Sequence, residues 1–114
     1  MKTDPLVEHA ARAALGRKAT DVVILDLRRV SAFTDFFLLA SGANQKQLVA
    51  ITDAIQKALR AERRRPGHVE GYPRQEWILM DYSSFVVHVF TPRTRSFYDL
   101  ERLWGEATRL EVAG

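Results

Sequence analysis

Cysteine is missing from the 114-residue chain. That excludes a disulfide scaffold, a thiol nucleophile and any cysteine-ligated zinc or iron–sulfur centre, and it fits a reducing compartment. Long apolar runs are missing too. The longest, FFLLA at 36–40, falls far short of the ~20 residues a spanning helix needs. No apolar h-region follows residues 1–5, so no signal peptide is expected, and the chain reads as cytoplasmic with no membrane association. Charge of one sign is not in large excess: 17 Lys and Arg against 14 Asp and Glu leave a net +3. Such a balance permits work near nucleic acid without demanding it. Also absent are a Gly-x-Gly-x-x-Gly loop, a Walker lysine–serine pair and a Gly-x-Ser-x-Gly elbow. The three histidines, His9, His68 and His88, share no HxxxH or HxH spacing, so no metal site and no cofactor is expected.

What is present is one domain's worth of ordinary soluble sequence, 46% apolar and 27% charged, enough for a single core without staples. Asp4 and Pro5 open a helix that Gly16 closes, with alanines on its thin apolar stripe. Residues 21–27 (DVVILDL) and 36–40 (FFLLA) are apolar without alternation, the pattern of strands covered on both faces. Asn44 with Gln47 three residues on forms a capping box for a second helix, on which Leu48, Ile51, Ile55 and Leu59 share one side. Arg63-Arg64-Arg65 and then Pro66-Gly67 end it. Residues 68–71 suggest a short edge strand. Residues 76–82 (EWILMDY) and 85–90 (FVVHVF) suggest a hairpin turning at Ser83-Ser84. A last helix over 94–107 is expected, with Phe97, Leu100, Leu103 and Trp104 on its apolar side, and then a frayed tail from Leu110. The order α-β-β-α-(β)-β-β-α implies an α/β (α+β) single domain over 5–107, with a mixed sheet of about five strands, helices packed on it, and a C-terminal tail at 108–114.

A two-residue loop at Ser83-Ser84 sets Trp77 opposite Phe90 and Leu79 opposite His88. Ile78, Met80, Tyr82, Phe85, Val87 and Val89 then make a nearly pure core face. Trp77, Leu79, Asp81, Val86, His88 and Phe90 share the other face, which mixes rings with an acid and an imidazole. Asp81 and His88 near two serines suggest a hydrolase, but they are not opposite each other, and a strand histidine bonded to a neighbour is the better account. Ser41-Gly42 before a helix resembles a phosphate cradle, yet without a Gly-x-Gly-x-x-Gly loop or a Walker pair a plain turn and cap is the better account. Arg60, Arg63, Arg64 and Arg65 form the densest basic run and are candidates for contact with an RNA backbone. Tyr98 and Trp104 sit on the last helix, with Arg93 and Arg95 just before them. Aromatic and arginine residues of this kind build binding hot spots.

These pieces in this order resemble the ribosomal silencing factor family, also called RsfS or Iojap: DVVILDL (21–27), TDFFLLASG (34–42), Glu70-Gly71, WILMDY (77–82), VVHVF (86–90), then Arg95 and FYDLERLW (97–104). Two positions depart from the family pattern. The hairpin Gly-Asp is Ser83-Ser84 here, and the Tyr or Cys after Thr-Asp is Phe36. The resemblance implies a nucleotidyltransferase-like topology without that chemistry. It implies binding to the fourteenth protein of the large ribosomal subunit at the intersubunit face, which blocks subunit association and represses translation when nutrients are scarce. It also implies a part in ribosome biogenesis for some relatives, and leaves room for a homodimer off the ribosome. The expected partner-binding residues are Trp77, Asp81, His88, Phe90, Arg95, Tyr98 and Glu101. The alternatives are a nucleotide-binding or nucleotidyltransferase-like enzyme using Ser41, Gly42 and Asp26 or Asp35, and a ribosomal-RNA-binding assembly factor using the arginine run.

Overall fold

Unbroken apolar strands need cover on both faces, and the strands at 20–26 and 36–41 receive it within a six-stranded sheet, from two long helices on one face and from Leu100, Trp104 and Ala107 on the other. A computed structural model describes residues 3–31 and 33–112. Its elements are α1 (Pro5–Gly16), β1 (Thr20–Asp26), β2 (Phe36–Ser41), α2 (Gln45–Ala61), β3 (His68–Glu70), β4 (Trp77–Asp81), β5 (Phe85–Phe90), α3 (Pro92–Tyr98), α4 (Leu100–Leu103) and β6 (Thr108–Glu111). The sheet order is β3-β4-β5-β2-β1-β6. Among the described residues only the central β2–β5 pair is parallel, and the other pairs are antiparallel, so the sheet is mixed.

Caps fix the two long helices. The Asp4 carboxylate accepts from the Leu6 amide at 2.8 Å, and the Asn44 side chain accepts from the Gln47 amide at 2.9 Å. Each satisfies an amide that a helix start leaves without an intrahelical partner. Both helices lie on one sheet face. Val7, Ala10, Ala11 and Ala14 of α1 and Leu48, Ile51, Ile55 and Leu59 of α2 bury against Ile24, Leu38, Ile78, Met80, Val87 and Val89. The alanine stripe lets α1 sit close to α2 as well as to the sheet.

Two sequence expectations change, and one irregularity is added. The tail is not frayed where it is described: Thr108–Glu111 pairs with β1, Leu110 opposite Ile24, and raises the strand count from about five to six. Its partly buried Leu110 packs against the helix-covered core, which is what draws the segment onto the sheet edge. Residues 113–114 of the expected tail lie outside the described residues. The last helix is not continuous. It starts at Pro92, behind the Thr91 cap, and breaks at Asp99, whose left-handed backbone (φ 48°, ψ 56°) an aspartate tolerates better than most residues. The break divides the expected apolar side. Leu100 and Trp104 turn onto the sheet, while Phe97 and Leu103 stay exposed at 78% and 71%. Finally, β1 carries a bulge between Thr20 and Val23, with Asp21 at φ 49°. An extra residue there re-aims a backbone carbonyl, as bulges do.

The hairpin register is the expected one, from Trp77 opposite Phe90 to Asp81 opposite Val86. Ser83 makes the turn at φ 73°, with the Ser84 amide donating to the Tyr82 carbonyl at 2.9 Å, a γ-turn of the strained kind. External bonds hold it: Asp81 Oδ1 accepts from the Ser83 amide, Thr34 Oγ1 donates to the Ser83 carbonyl, and the Asp35 amide donates to the Ser84 carbonyl. A serine at positive φ costs roughly 1–2 kcal/mol, which glycine avoids. Ser83→Gly should therefore stabilise the domain by about 1 kcal/mol once the unfolded-state entropy of glycine is deducted. Urea unfolding with an unchanged m-value reads this gain, and a loss of stability would show that the turn is not strained.

Candidate docking site

The sheet face opposite α1 and α2 is only partly covered. Val23, Leu25, Leu27, Phe37, Leu39, Val86 and Phe90 form a second core there, over which Leu100, Trp104 and Ala107 fold. Toward β4 the cover stops, and Trp77, Leu79 and Asp81 remain half-buried. Side chains alternate along strands, so each strand contributes its rings to this face in register.

The result is a band of rings across the sheet. Phe97 meets Tyr98 at 5.0 Å between centroids, Tyr98 meets Trp77 at 4.6 Å, and Trp77 meets His88 at 5.8 Å. His88 then meets Phe37 edge-on at 4.5 Å, Phe37 meets Trp104 at 6.0 Å, and Trp104 meets Phe33 at 6.0 Å. The middle of the band is buried and its ends are open, with Tyr98 52% and Phe33 63% exposed. A recess of about 480 Å³ lies beside Tyr98, between Glu76, Arg93, Thr94, Ser96 and Phe97. A second of about 480 Å³ runs along Trp77 and Leu79 to Glu70, Gly71 and Gln75.

Of the seven residues expected on this face, Trp77, Tyr98 and Asp81 present accessible surface, and Glu101 is partly covered. His88, Phe90 and Arg95 are buried beneath them, so they shape the surface from behind. Burial follows from position: His88 and Phe90 stand on the central strand β5, flanked by β4 and β2. Phe33, Phe37, Phe97 and Trp104 belong to the band but not to the expected set. Phe37 was legible, since it alternates with the buried Phe36 and Leu38 on β2. Phe33 sits in the polar β1–β2 connection, where nothing in the local pattern marks it.

Arg95 ties the surrounding segments together. Its Nη1 donates to the Asp21 carbonyl at 2.6 Å and to Ser41 Oγ at 2.8 Å, and its Nε donates to Glu101 Oε1 at 2.9 Å. The other Glu101 oxygen accepts from Arg109 on β6. The Arg95 hydrogen bond holds the Glu101 carboxyl below its usual range, against the opposing effect of partial burial. This bonding also settles the phosphate cradle. Ser41 is fully buried with its hydroxyl taken by Arg95, and a Cβ on Gly42 would lie 2.9 Å from Leu48 Cδ2. The turn is filled by the chain itself, as a plain turn and cap would be. Asp26 is held by Arg28, at 2.9 Å and 2.6 Å.

His88 is the buried histidine bonded to a neighbour that its strand position suggested. Its Nδ1 accepts from Trp77 Nε1 at 3.1 Å, while Asp81 serves the Ser83 amide instead. Asp81 pairs with Val86 across the hairpin and His88 with Leu79, so no relay forms between them. His9 and His68 each face a separate glutamate, Glu62 and Glu70. Among the described residues no three potential metal ligands come together, and no helix is long and apolar enough to cross a membrane.

A half-open sheet face with a buried aromatic floor and exposed aromatic ends defines a class: a small α+β domain shaped to present a surface. The family described as "Ribosomal silencing factor during starvation" matches residues 1–114. The chain is 36% identical over 114 residues to ribosomal silencing factor RsfS of Halalkalibacterium halodurans, covering 100% of this chain and 97% of the relative. It is 35% identical over 107 residues to that of Bacillus subtilis, covering 94% and 91%. A crystal structure of a Chromobacterium violaceum protein superposes with a TM-score of 0.87 at 28% identity, covering 100% of this chain and 95% of the other. The chain therefore belongs to the ribosomal silencing factor family, whose name denotes a regulatory role in translation.

Two predictions follow from the buried groups. Removing Arg95 leaves Glu101 Oε1, Ser41 and the Asp21 carbonyl without this donor, so Arg95→Leu should cost on the order of 3 kcal/mol. Arg95→Lys should recover less than half, because an ammonium cannot reproduce the fork. Urea unfolding of both variants checks this. Burial lowers the His88 pKa from 6.5 to about 4. The unfolded chain thus binds the proton more readily, and the stability tied to neutral His88 is complete above pH ~6.5 and is lost as pH falls to ~4. The loss amounts to on the order of 3 kcal/mol. His88→Gln should flatten stability between those pH values, and an unchanged slope would assign it to other groups.

Proposed function

We propose that this chain represses translation by binding the fourteenth protein of the large ribosomal subunit at the intersubunit face. Bound there, it keeps the small subunit from joining during nutrient limitation. The observation that carries the reading is the half-covered sheet face on which Trp77 and Tyr98 meet at 4.6 Å beside open recesses. Protein interfaces put aromatic rings at a desolvated centre and charges at the rim. Trp77 and Tyr98 would fill the centre, while Asp81 and Glu101 at the margin set register and Arg95 holds Glu101 in place. Family membership supplies the ribosomal context and a regulatory role, which fits a protein that acts by occupancy and not by turnover. The site of action is then the cytoplasm, and a homodimer off the ribosome belongs to the same reading.

Trp77→Ala combined with Tyr98→Ala removes the two open rings while leaving Phe90 and His88 in place. The folded double variant, verified by circular dichroism, should lose co-sedimentation with isolated large subunits by at least tenfold in affinity, as expected for hot-spot rings. It should also no longer prevent subunit joining in sucrose gradients. Unchanged co-sedimentation would remove these residues from the interface.

A further inference from the structure

The strongest local charge lies away from the aromatic band, at the end of α2. Arg60, Arg63, Arg64 and Arg65 fall within six residues, interrupted among acids only by Glu62. Glu62 faces His9 Nδ1 of α1 at 3.9 Å. Three arginines elsewhere are matched to acids: Arg28 to Asp26, Arg95 to Glu101, and Arg109 to Glu101 and Glu111. Among the described residues, none of the four arginines at the helix end has such a partner.

The chain shapes this end into a concavity. Arg63 takes a left-handed backbone (φ 60°), the Arg64 amide returns to the Leu59 carbonyl at 2.9 Å, and Pro66 prevents further helix. Arg64 Nη2 lies 3.4 Å from the Tyr82 carbonyl, and the Gly67 amide donates to the Asp81 carbonyl at 2.8 Å, which fixes the end against the β4–β5 turn. Arg60, Arg64 and Arg65 line a recess of about 270 Å³ with Gln56 and Pro66. Uncompensated cations held this close repel one another, and a polyanion relieves that cost. All are arginines, whose planar forks match phosphate oxygens two at a time. None of the exposed large apolar side chains lines the recess, so the apolar insertion that accompanies basic residues at a membrane has no counterpart here.

We propose that this recess binds the phosphodiester backbone of RNA, as a contact separate from the aromatic docking face. It rests on the proposed function only in making ribosomal RNA the strand encountered. The anchoring of Arg64 and Gly67 to the hairpin that carries Trp77 and Asp81 couples the two surfaces mechanically. A partner protein on one and an RNA strand on the other can be held together.

The test uses the whole chain and a fluorescently labelled RNA duplex of arbitrary sequence, read by anisotropy over a salt series. Three to four arginine–phosphate contacts give a slope of log affinity against log salt on the order of −3. R60Q with R65Q, both at exposed positions, should reduce that slope by about two and weaken binding roughly tenfold at low salt. Trp77→Ala with Tyr98→Ala should leave RNA affinity within about twofold while abolishing co-sedimentation, so failure of docking and failure of the recess are read separately. Absence of saturable RNA binding at low salt, or a slope unchanged in the arginine variant, would overturn the proposal. So would arginine-dependent binding to phosphatidylserine vesicles, or to inorganic phosphate alone, in the absence of any binding to the duplex.

Discussion

The Arg95 guanidinium joins segments that the chain order keeps far apart. From the first turns of α3 it reaches the bulged start of β1 through the Asp21 carbonyl and the end of β2 through Ser41, and it crosses the Asp99 break to Glu101. Glu101 then passes the connection to Arg109 on β6. A buried cation is costly unless its donors are met, and here three acceptors from three segments meet them. The bulge at Asp21 and the left-handed residue at Asp99 make sense together: one aims a carbonyl at Arg95, the other turns the chain so that a carboxylate can reach it. Without Arg95 neither irregularity has a reason to persist.

The two faces of the sheet are built differently because of this. One carries two long, capped helices whose apolar stripes bury a continuous core. The other is covered by only seven helical residues, a break and four more. So short a segment gains little from helix propagation and depends on tertiary contacts for its stability. The ion pair and the ring contacts of Tyr98 and Trp104 provide them. They cover the β1–β2–β5 side and leave β4 open, so the extent of the exposed surface is set by how far Arg95 lets the chain travel. The strained Ser83 turn closes the same open side and is braced by Thr34 and Asp35 of the β1–β2 connection.

What the sequence revealed was periodic or local. Unalternating strands, caps at Asp4 and Asn44, and the hairpin sorting were legible because each depends on residues within one segment. The family order of motifs added the ribosomal context. What could not be read depended on contacts between segments. β6 exists because Leu110 finds a core edge at Ile24, and nothing within 108–111 signals that. The inward turn of Arg95 depends on a bulge 74 residues earlier in the chain. Phe33 looks like a loop residue until Trp104 arrives beside it. The expected site therefore mixed accessible residues with buried ones: alternation placed His88 and Phe90 on the same sheet face as Trp77, but only the sheet order showed them closed in between β4 and β2.

That mixture has a physical logic. Trp77 is a half-buried ring whose one polar atom is engaged by His88, with Phe90 and Tyr98 against its faces and edges. For Nδ1 to accept, the imidazole must be neutral with its proton on Nε2, and Nε2 has no hydrogen-bond partner among the described residues. Burying such a group is unfavourable by itself. The same burial that leaves Nε2 unmet also suppresses protonation, so Nδ1 keeps its lone pair for the indole across the neutral pH range. On the proposed docking face, a tryptophan held in one orientation beforehand would lose little conformational entropy on contact, and that entropy is one of the main costs of forming an interface. The unsatisfied histidine and the ordered tryptophan are then two ends of one arrangement, in which stability given up in the core is exchanged for order at the surface.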